Sequence, residues 1–444
     1  MTIWSPRLPK TDAPLYRRIA DALERDVTGG VLLAGGRLPA VRELATRLGV
    51  TPVTISRAYA EAAERGLIET NVGRGTFVRE TFHAAIVGPE SDEIDLTTNE
   101  IPVGAFPEVP SERIAAALAT GYRTGAGSDR HRSAGAAWIG GDTSPSRVIV
   151  TTGTQQALSI AFSTLLAPGQ TLLTDPLIYA GIKAIAAHQH LRLEPLAADR
   201  YGILPDALER AARNRSSRVV YLTPTLQNPT GAVMPEKRRR DLAAVAEKHG
   251  LTIVEDDVYG FLHPTAPAPV RTYAPERTVF VTGVGKALTP ALRVGYMHAP
   301  DALVPRLTTA LFASSMFASA VTAEIAALWI EDGTAARVAK QKRETIATRR
   351  RVADRVVGEL TSSDVHSAHL WLELPKRWTA DAFADEARRR RVRVCSSSVF
   401  AVDRQESPRQ IRVSLGATAS AAELETALRV LVSIDRAAEV ETIV

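Results

Sequence analysis

Cysteine is almost missing from this chain of 444 residues, where Cys395 is the only one. A single thiol excludes an intramolecular disulfide and suits a reducing compartment. Long apolar runs are missing too, so no stretch is expected to span a membrane. The first residues, MTIWSPRLPKTDAPLYRR, lack the apolar centre of a signal peptide, which predicts a cytoplasmic protein. Excess charge is small: a formal balance of +5 permits contact with nucleic acid without demonstrating it. There is no internal repeat and no low-complexity tract. His188 and His190 lack companion ligands, so no metal site is expected.

What is present is a globular composition, 45% hydrophobic and 23% charged, in a chain too long for one ordinary domain. Its character changes near Phe77–Asp95, from a helix-rich block to alternating strands and helices. The stretch between, RETFHAAIVGPESDEID, has no clear period and reads as a linker. This predicts a first domain over 1–79, a linker over 80–94 and a large domain over 95–444. The basic runs EKRRRD (Glu236–Asp241) and RRRRVRV (Arg388–Val394) read as solvated faces and ends of helices.

In the first block, Leu15, Ile19, Ala22, Leu23 and Val27 recur at helical spacing before Gly29–Gly30. Two further helices follow, separated by Gly49-Val50-Thr51. The first places Leu38, Val41, Leu44, Ala45 and Leu48 on one face, and the second buries Ile55, Ala58, Tyr59 and Ala62. IETNVGRGTFV then reads as two strands around Gly73-Arg74-Gly75. Helix–turn–helix plus hairpin is the geometry of a winged helix. Thr51, Thr54 and Arg57 would lead into a major groove, while Arg42 and the wing-tip pair Arg74 and Gly75 would reach phosphates or base edges. The same pattern also fits a docking module that never touches DNA. The wording GGRLPAVRELATRLGVTPVTISRAYAEAAERGLIETNVGRGTFV closely resembles the GntR-family winged-helix domain, and that resemblance implies a double-stranded DNA operator. Pro52 and Ser56 depart from it where relatives often carry basic residues.

The large domain opens strand after strand with apolar runs: RVIVTTG, TLLTDP, RVVYLTP, LTIVEDD and TVFVTG. Such strands alternating with helices predict an α/β fold with a mostly parallel sheet, whose ligands sit at the carboxyl ends of the strands. Polar motifs fall there. In TTGTQQAL, the amides of Gly153, Thr154 and Gln155 can hold a phosphate at a helix start. NPTG (Asn228–Gly231) lies in a loop of the kind that admits a cis bond. EDDVYG (Glu255–Gly260) puts carboxylates at a strand end. TGVGKALTPALRVGY carries Lys286 with Arg293 seven residues on, and IRVSL carries Arg412. Each alone is an ordinary turn, cap or surface charge.

Their order and spacing together resemble the fold-type I aminotransferases, which bind pyridoxal 5′-phosphate. Joined to the GntR-like block, the whole chain resembles the MocR family of transcription regulators. The resemblance implies Lys286 as the Schiff-base lysine and Asp256 beside the pyridine nitrogen. It implies Asn228 and Tyr259 on the phenolic oxygen, Tyr179 on the ring face, and Gly153, Thr154, Gln155 and Arg293 on the phosphate. Arg412 would clamp the carboxylate of an amino-acid effector (an amine is the other candidate). Such sites are completed across a homodimer, with Tyr122 as a candidate for reaching the partner's phosphate. Relatives carry hydroxyl residues one and three places before the lysine, where this chain has Gly285 and Gly283. Ser367–Ala368 and Ser396–Ser398 also replace glycine- or proline-glycine-bearing segments. Three functions stay open: a cofactor-dependent sensor, an active aminotransferase with a DNA-binding appendage, and a regulator that holds no cofactor.

Overall fold

A left-handed glycine makes the first turn. Gly49 closes the helix Val41–Leu48 at φ 62° and ψ 33°, a conformation that costs glycine no Cβ clash. The computed structural model, which describes residues 4, 6, 14–28, 32, 36–65, 67–71, 75–78, 93–101, 106–121, 125–214, 217–403 and 406–441, divides into two units, Met1–Gly88 and Pro89–Val444. After Gly49 the helix Pro52–Glu64 begins with Thr51 as its cap: Thr51 Oγ1 accepts from the Thr54 N–H at 3.3 Å, and Pro52 fits the first turn. Ile55, Ala58, Tyr59 and Ala62 are buried against Ile19, Leu23 and Leu44. Leu38 is buried as well, but outside the helix expected to hold it. Pro39 keeps it extended, and its N–H donates to Thr76 O at 2.8 Å while Arg37 pairs with Phe77. The segment thus adds a third edge to the hairpin Ile68–Asn71 with Gly75–Val78.

The second unit is built on seven strands in the order Val148–Thr151, Gly295–His298, Thr278–Gly283, Thr252–Asp256, Val219–Leu222, Thr171–Thr174, Arg192–Pro195. Gly295–His298 alone runs antiparallel to its neighbours. The connection before it, residues 284–294, is too short for the crossover a parallel strand requires. Alternate residues face opposite layers, as the two-residue period of a strand dictates. Leu172, Val219 and Val254 pack with Leu158, Phe162 and Ile182 on one face; Leu173, Val220 and Ile253 pack with Leu208 and Leu242 on the other. Both faces being covered explains why these strands read as continuous apolar runs.

A smaller antiparallel sheet of His369–Glu373, Gln410–Ser414 and Cys395–Ser396 packs with the helices Thr334–Val357, Ala380–Arg389 and Ala421–Glu441. Ile94–Asp95, at the end of the expected linker, pairs in parallel with Val392–Arg393. Residues 79–92 lie outside the described residues. The two basic runs are not wholly solvated. Arg239 is fully buried, donating to the carbonyls of Met234, Pro224 and Pro267 at 2.8–3.1 Å, and Arg393 pairs with Asp95 at 3.3 Å. An arginine can be buried where several loop carbonyls converge on its five donors. No helix among the described residues is long and apolar enough to cross a membrane.

Candidate cofactor and ligand site

The carboxyl ends of the central strands open into a cavity of about 300 Å³. Every described residue expected on the cofactor or the ligand carboxylate, from Gly153 to Arg412, lines it. Asp256 ends its strand there, buried. Its Oδ2 accepts from the Tyr221 hydroxyl at 2.8 Å, while Oδ1 has no partner among the described residues. Burial pushes this carboxyl up to about 7; Asp257 adds to the shift and the Tyr221 hydrogen bond opposes it. Its neighbour Glu255 is committed elsewhere, to the N–H groups of Val270 and Arg271 at 2.8 and 2.9 Å.

At the opposite end the helix Thr154–Leu165 starts after Gly153, at φ 81°. A Cβ on Gly153 would lie 3.0 Å from Arg293 Nη2, so glycine is what lets the guanidinium approach the helix start. The partial positive charge of that helix end and Arg293 together favour an anion. The two glycines before Lys286 differ. A Cβ on Gly283 would meet Val294 O at 2.8 Å and Thr154 Cγ2 at 3.1 Å, whereas at Gly285 nothing lies nearer than Pro290 Cα at 4.0 Å. Thr282 does not replace the missing hydroxyls, because its Oγ1 donates to Asp257 O at 2.8 Å.

Lys286 Nζ donates to the backbone carbonyl of Asn99 at 2.6 Å. Buried Lys342 holds the same turn from below, donating to Lys286 O at 2.9 Å and Leu288 O at 2.7 Å. Burial pushes Lys342 down to about 8; nearby Glu100 opposes this and Lys286 adds to it. Arg412 lies over the Phe400 ring at 4.8 Å, with Nη1 donating to Asn228 Oδ1 at 2.8 Å and Nη2 to Thr97 O. Its Nε has no partner among the described residues. The Asn228–Pro229 bond is cis. Gln155 Nε2 donates to Gly181 O at 3.1 Å, and its buried Oε1 has no partner among the described residues.

Five residues that matter here carried no recognised motif. Thr97 and Asn99 come from the start of the unit, far in sequence from the lysine. Tyr221 and His369 sit in runs that read as core, and Lys342 lies in a long helix. A tyrosine in an otherwise aliphatic strand was the one available signal, since a buried hydroxyl needs a partner.

On the DNA-binding side, Arg42 and Arg57 are exposed, and the Arg57 guanidinium lies 5.3 Å from the Tyr16 ring centroid. Thr51 and Thr54 are joined hydroxyl to hydroxyl at 2.9 Å, so Thr51 caps its helix as well as flanking the leading turn. Gly75 begins the second hairpin strand; Arg74 and Tyr122 lie outside the described residues. His188 and His190 are exposed. Away from the cavity, His263, Asp364 and His366 bring ligand-capable atoms within 4.8 Å, with the two rings stacked at 4.1 Å.

Comparison with known proteins agrees with this architecture. Residues 91–431 match the family described as aminotransferase class I and II, and residues 15–78 match bacterial regulatory proteins of the gntR family. The uncharacterized HTH-type transcriptional regulator YdeF of Bacillus subtilis is 28% identical over 96% of each chain. The probable rhizopine catabolism regulatory protein MocR of Rhizobium meliloti is 26% identical, over 77% of this chain and 76% of that one. The α-aminoadipate aminotransferase LysN of Thermus thermophilus shares the fold, with a TM-score of 0.68 at 24% identity over 84% of this chain and 97% of its own. The chain belongs to the aminotransferase class I and II family and carries a gntR-type domain ahead of that fold, the fusion that defines the MocR regulators.

Proposed function

We propose that the chain is a DNA-binding transcription regulator that senses an amino acid or amine through pyridoxal 5′-phosphate held at Lys286. The carrying observation is the unpartnered Oδ1 of buried Asp256, in the cavity that Lys286 and Arg293 also line. A carboxyl poised near neutrality with an empty acceptor suits the N–H of a pyridinium ring. The cofactor would supply an aldehyde with which an amine condenses reversibly.

This chain's residues do the rest. Gly153, Thr154 and Gln155, with Arg293, hold the phosphate, and Tyr179 covers the ring face. Asn228 and Tyr259 donate to the ring oxygen; the Asn228 amide nitrogen is free to do so because its Oδ1 is occupied by Arg412. Arg412 takes the ligand carboxylate in a bidentate grip. The gntR-type domain reads a double-stranded operator through Arg42, Thr51, Thr54, Arg57, Arg74 and Gly75. A symmetric homodimer in the cytoplasm would match two half-sites. Ligand binding shifts operator affinity through its different affinity for two arrangements of the DNA readers. Sensing requires binding and not product release, so the chain acts without catalytic turnover.

Two observations favour other readings. Lys286, Asp256, Asn228, Tyr259 and Arg293 share one cavity, which suits an active aminotransferase. The open space at Gly285 suits a regulator that holds no cofactor. Absorption spectra with added pyridoxal phosphate, then with a panel of amino acids and amines, separate them. A band that needs Lys286 (absent in Lys286→Ala) and shifts with one ligand supports the sensor. Steady conversion of the cofactor to its amine form overturns it in favour of an enzyme. No band at all leaves the cofactor-free reading.

A further inference from the structure

We propose that His369 is a positioning residue: through the side-chain amide of Asn99 it makes the Tyr259 hydroxyl a donor into the cavity. His369 is fully buried on the strand His369–Glu373, and its Nε2 lies 3.2 Å from the carbonyl oxygen of Gln227. A carbonyl only accepts, so Nε2 carries the proton. Burial pushes the imidazole down to about 3, and Arg412 and Lys286 both oppose a second proton, so the ring is neutral. Nδ1 is therefore a bare lone pair.

That lone pair faces Asn99 Nδ2 at 3.3 Å. It requires the NH₂ end of the amide on its side, because Oδ1 there would set two acceptors against each other. With the amide so fixed, the second N–H of Asn99 points to Tyr259 Oη at 3.0 Å. Tyr259 accepts from Asn99, and its own single proton is left for the cavity that its side chain lines. The reversed amide would instead consume that proton. The same residue's backbone carbonyl accepts from Lys286, so Asn99 ties lysine, tyrosine and histidine into one array. His369 lies off the cavity; its ring packs edge-on against that of Tyr259 at 5.9 Å, and it reaches the Tyr259 hydroxyl through two hydrogen bonds.

The consequence for a bound cofactor rests on the pyridoxal-phosphate reading, and the test separates the two. In full-length protein with ¹⁵N-labelled histidine rings, the His369 signals are those lost in His369→Leu. The expected result is a neutral ring protonated at Nε2 across the neutral pH range. An Nδ1–H tautomer, or an imidazolium near neutrality, overturns the proposal whether or not a cofactor binds.

With pyridoxal phosphate added, the pH midpoint of the Lys286-dependent absorption band is measured next. A hydroxyl donating to an anionic ring oxygen weakens that oxygen's hold on a neighbouring proton. Tyr259→Phe and His369→Leu should therefore each raise the midpoint, by about one to two units for one charge-assisted hydrogen bond. The double variant should move no further than Tyr259→Phe. A His369→Leu shift that persists in full on the Tyr259→Phe background means a merely structural histidine and sinks the idea. Asn99→Ser keeps the backbone carbonyl at Lys286 and should reproduce the shift, which covers a failure of His369→Leu to fold. Absence of a band in the unaltered protein removes the cofactor reading, and the ring signals still decide the role of His369.

Discussion

The two glycines ahead of Lys286 offer a paired experiment, because the same substitution should have opposite results at positions separated only by Val284. Gly285→Ser places a Cβ where nothing lies nearer than 4.0 Å, in a residue that lines the cavity. A hydroxyl there restores one of the donors that relatives present to the phosphate. One hydrogen bond to a charged group is worth about 1.5–3 kcal/mol, so affinity for pyridoxal phosphate should rise about ten- to a hundredfold. Gly283→Ser puts the same group against a fixed backbone. Its Cβ would sit 2.8 Å from Val294 O and 3.1 Å from Gly295 Cα, on the antiparallel partner with which Gly283 is in register. Overpacking of this kind costs about 1–3 kcal/mol. Titration of the visible band measures the first variant and thermal melting the second. Unchanged or weaker binding by Gly285→Ser, or a Gly283→Ser protein as stable as the parent, would refute this account of the phosphate end.

Three further outcomes follow from other sites. In cofactor-free protein, Asp256 keeps its proton up to about pH 7, whereas the unfolded chain loses it near 4. Its contribution therefore makes stability fall as pH rises between those values; Asp256→Asn should flatten that slope and be the more stable protein at pH 8, by no more than roughly 4 kcal/mol, and a steeper slope in denaturant titrations would count against it. Thr51→Ala removes the cap of the helix Pro52–Glu64 and should cost about 1 kcal/mol, seen as a lower unfolding midpoint of the amino-terminal unit together with weaker operator binding. Arg239→Ala removes the side-chain donor to the carbonyls of Pro224, Met234 and Pro267, and should destabilise the second unit by about 3 kcal/mol or more, whereas neighbouring Lys237→Ala, at an exposed ion pair, should change denaturant midpoints little.

The sheet was legible because its strands are buried on both faces, which leaves aliphatic runs with polar residues only at their ends. The antiparallel return of Gly295–His298 was less so, since direction depends on the length of the preceding connection and not on residue type. Site residues that end strands or open helices, such as Asp256 and Thr154, stood out by position. Asn99, Tyr221 and His369 did not. Their places depend on which strand lies beside which, and each reads locally as a turn polar group or a core residue. Leu38 misled for a related reason: apolar spacing continued past Pro39, and the restriction a proline places on its predecessor outweighed it.

The backbone from Thr97 to Asn99 is held in the pocket by the two groups that a ligand would claim: Thr97 O accepts from Arg412, and Asn99 O accepts from Lys286. That stretch follows closely on Ile94–Asp95, which pairing with Val392–Arg393 fixes in the second unit. An incoming carboxylate or carbonyl thus competes for both anchors, and the chain's own main chain is the first competitor any occupant has to displace.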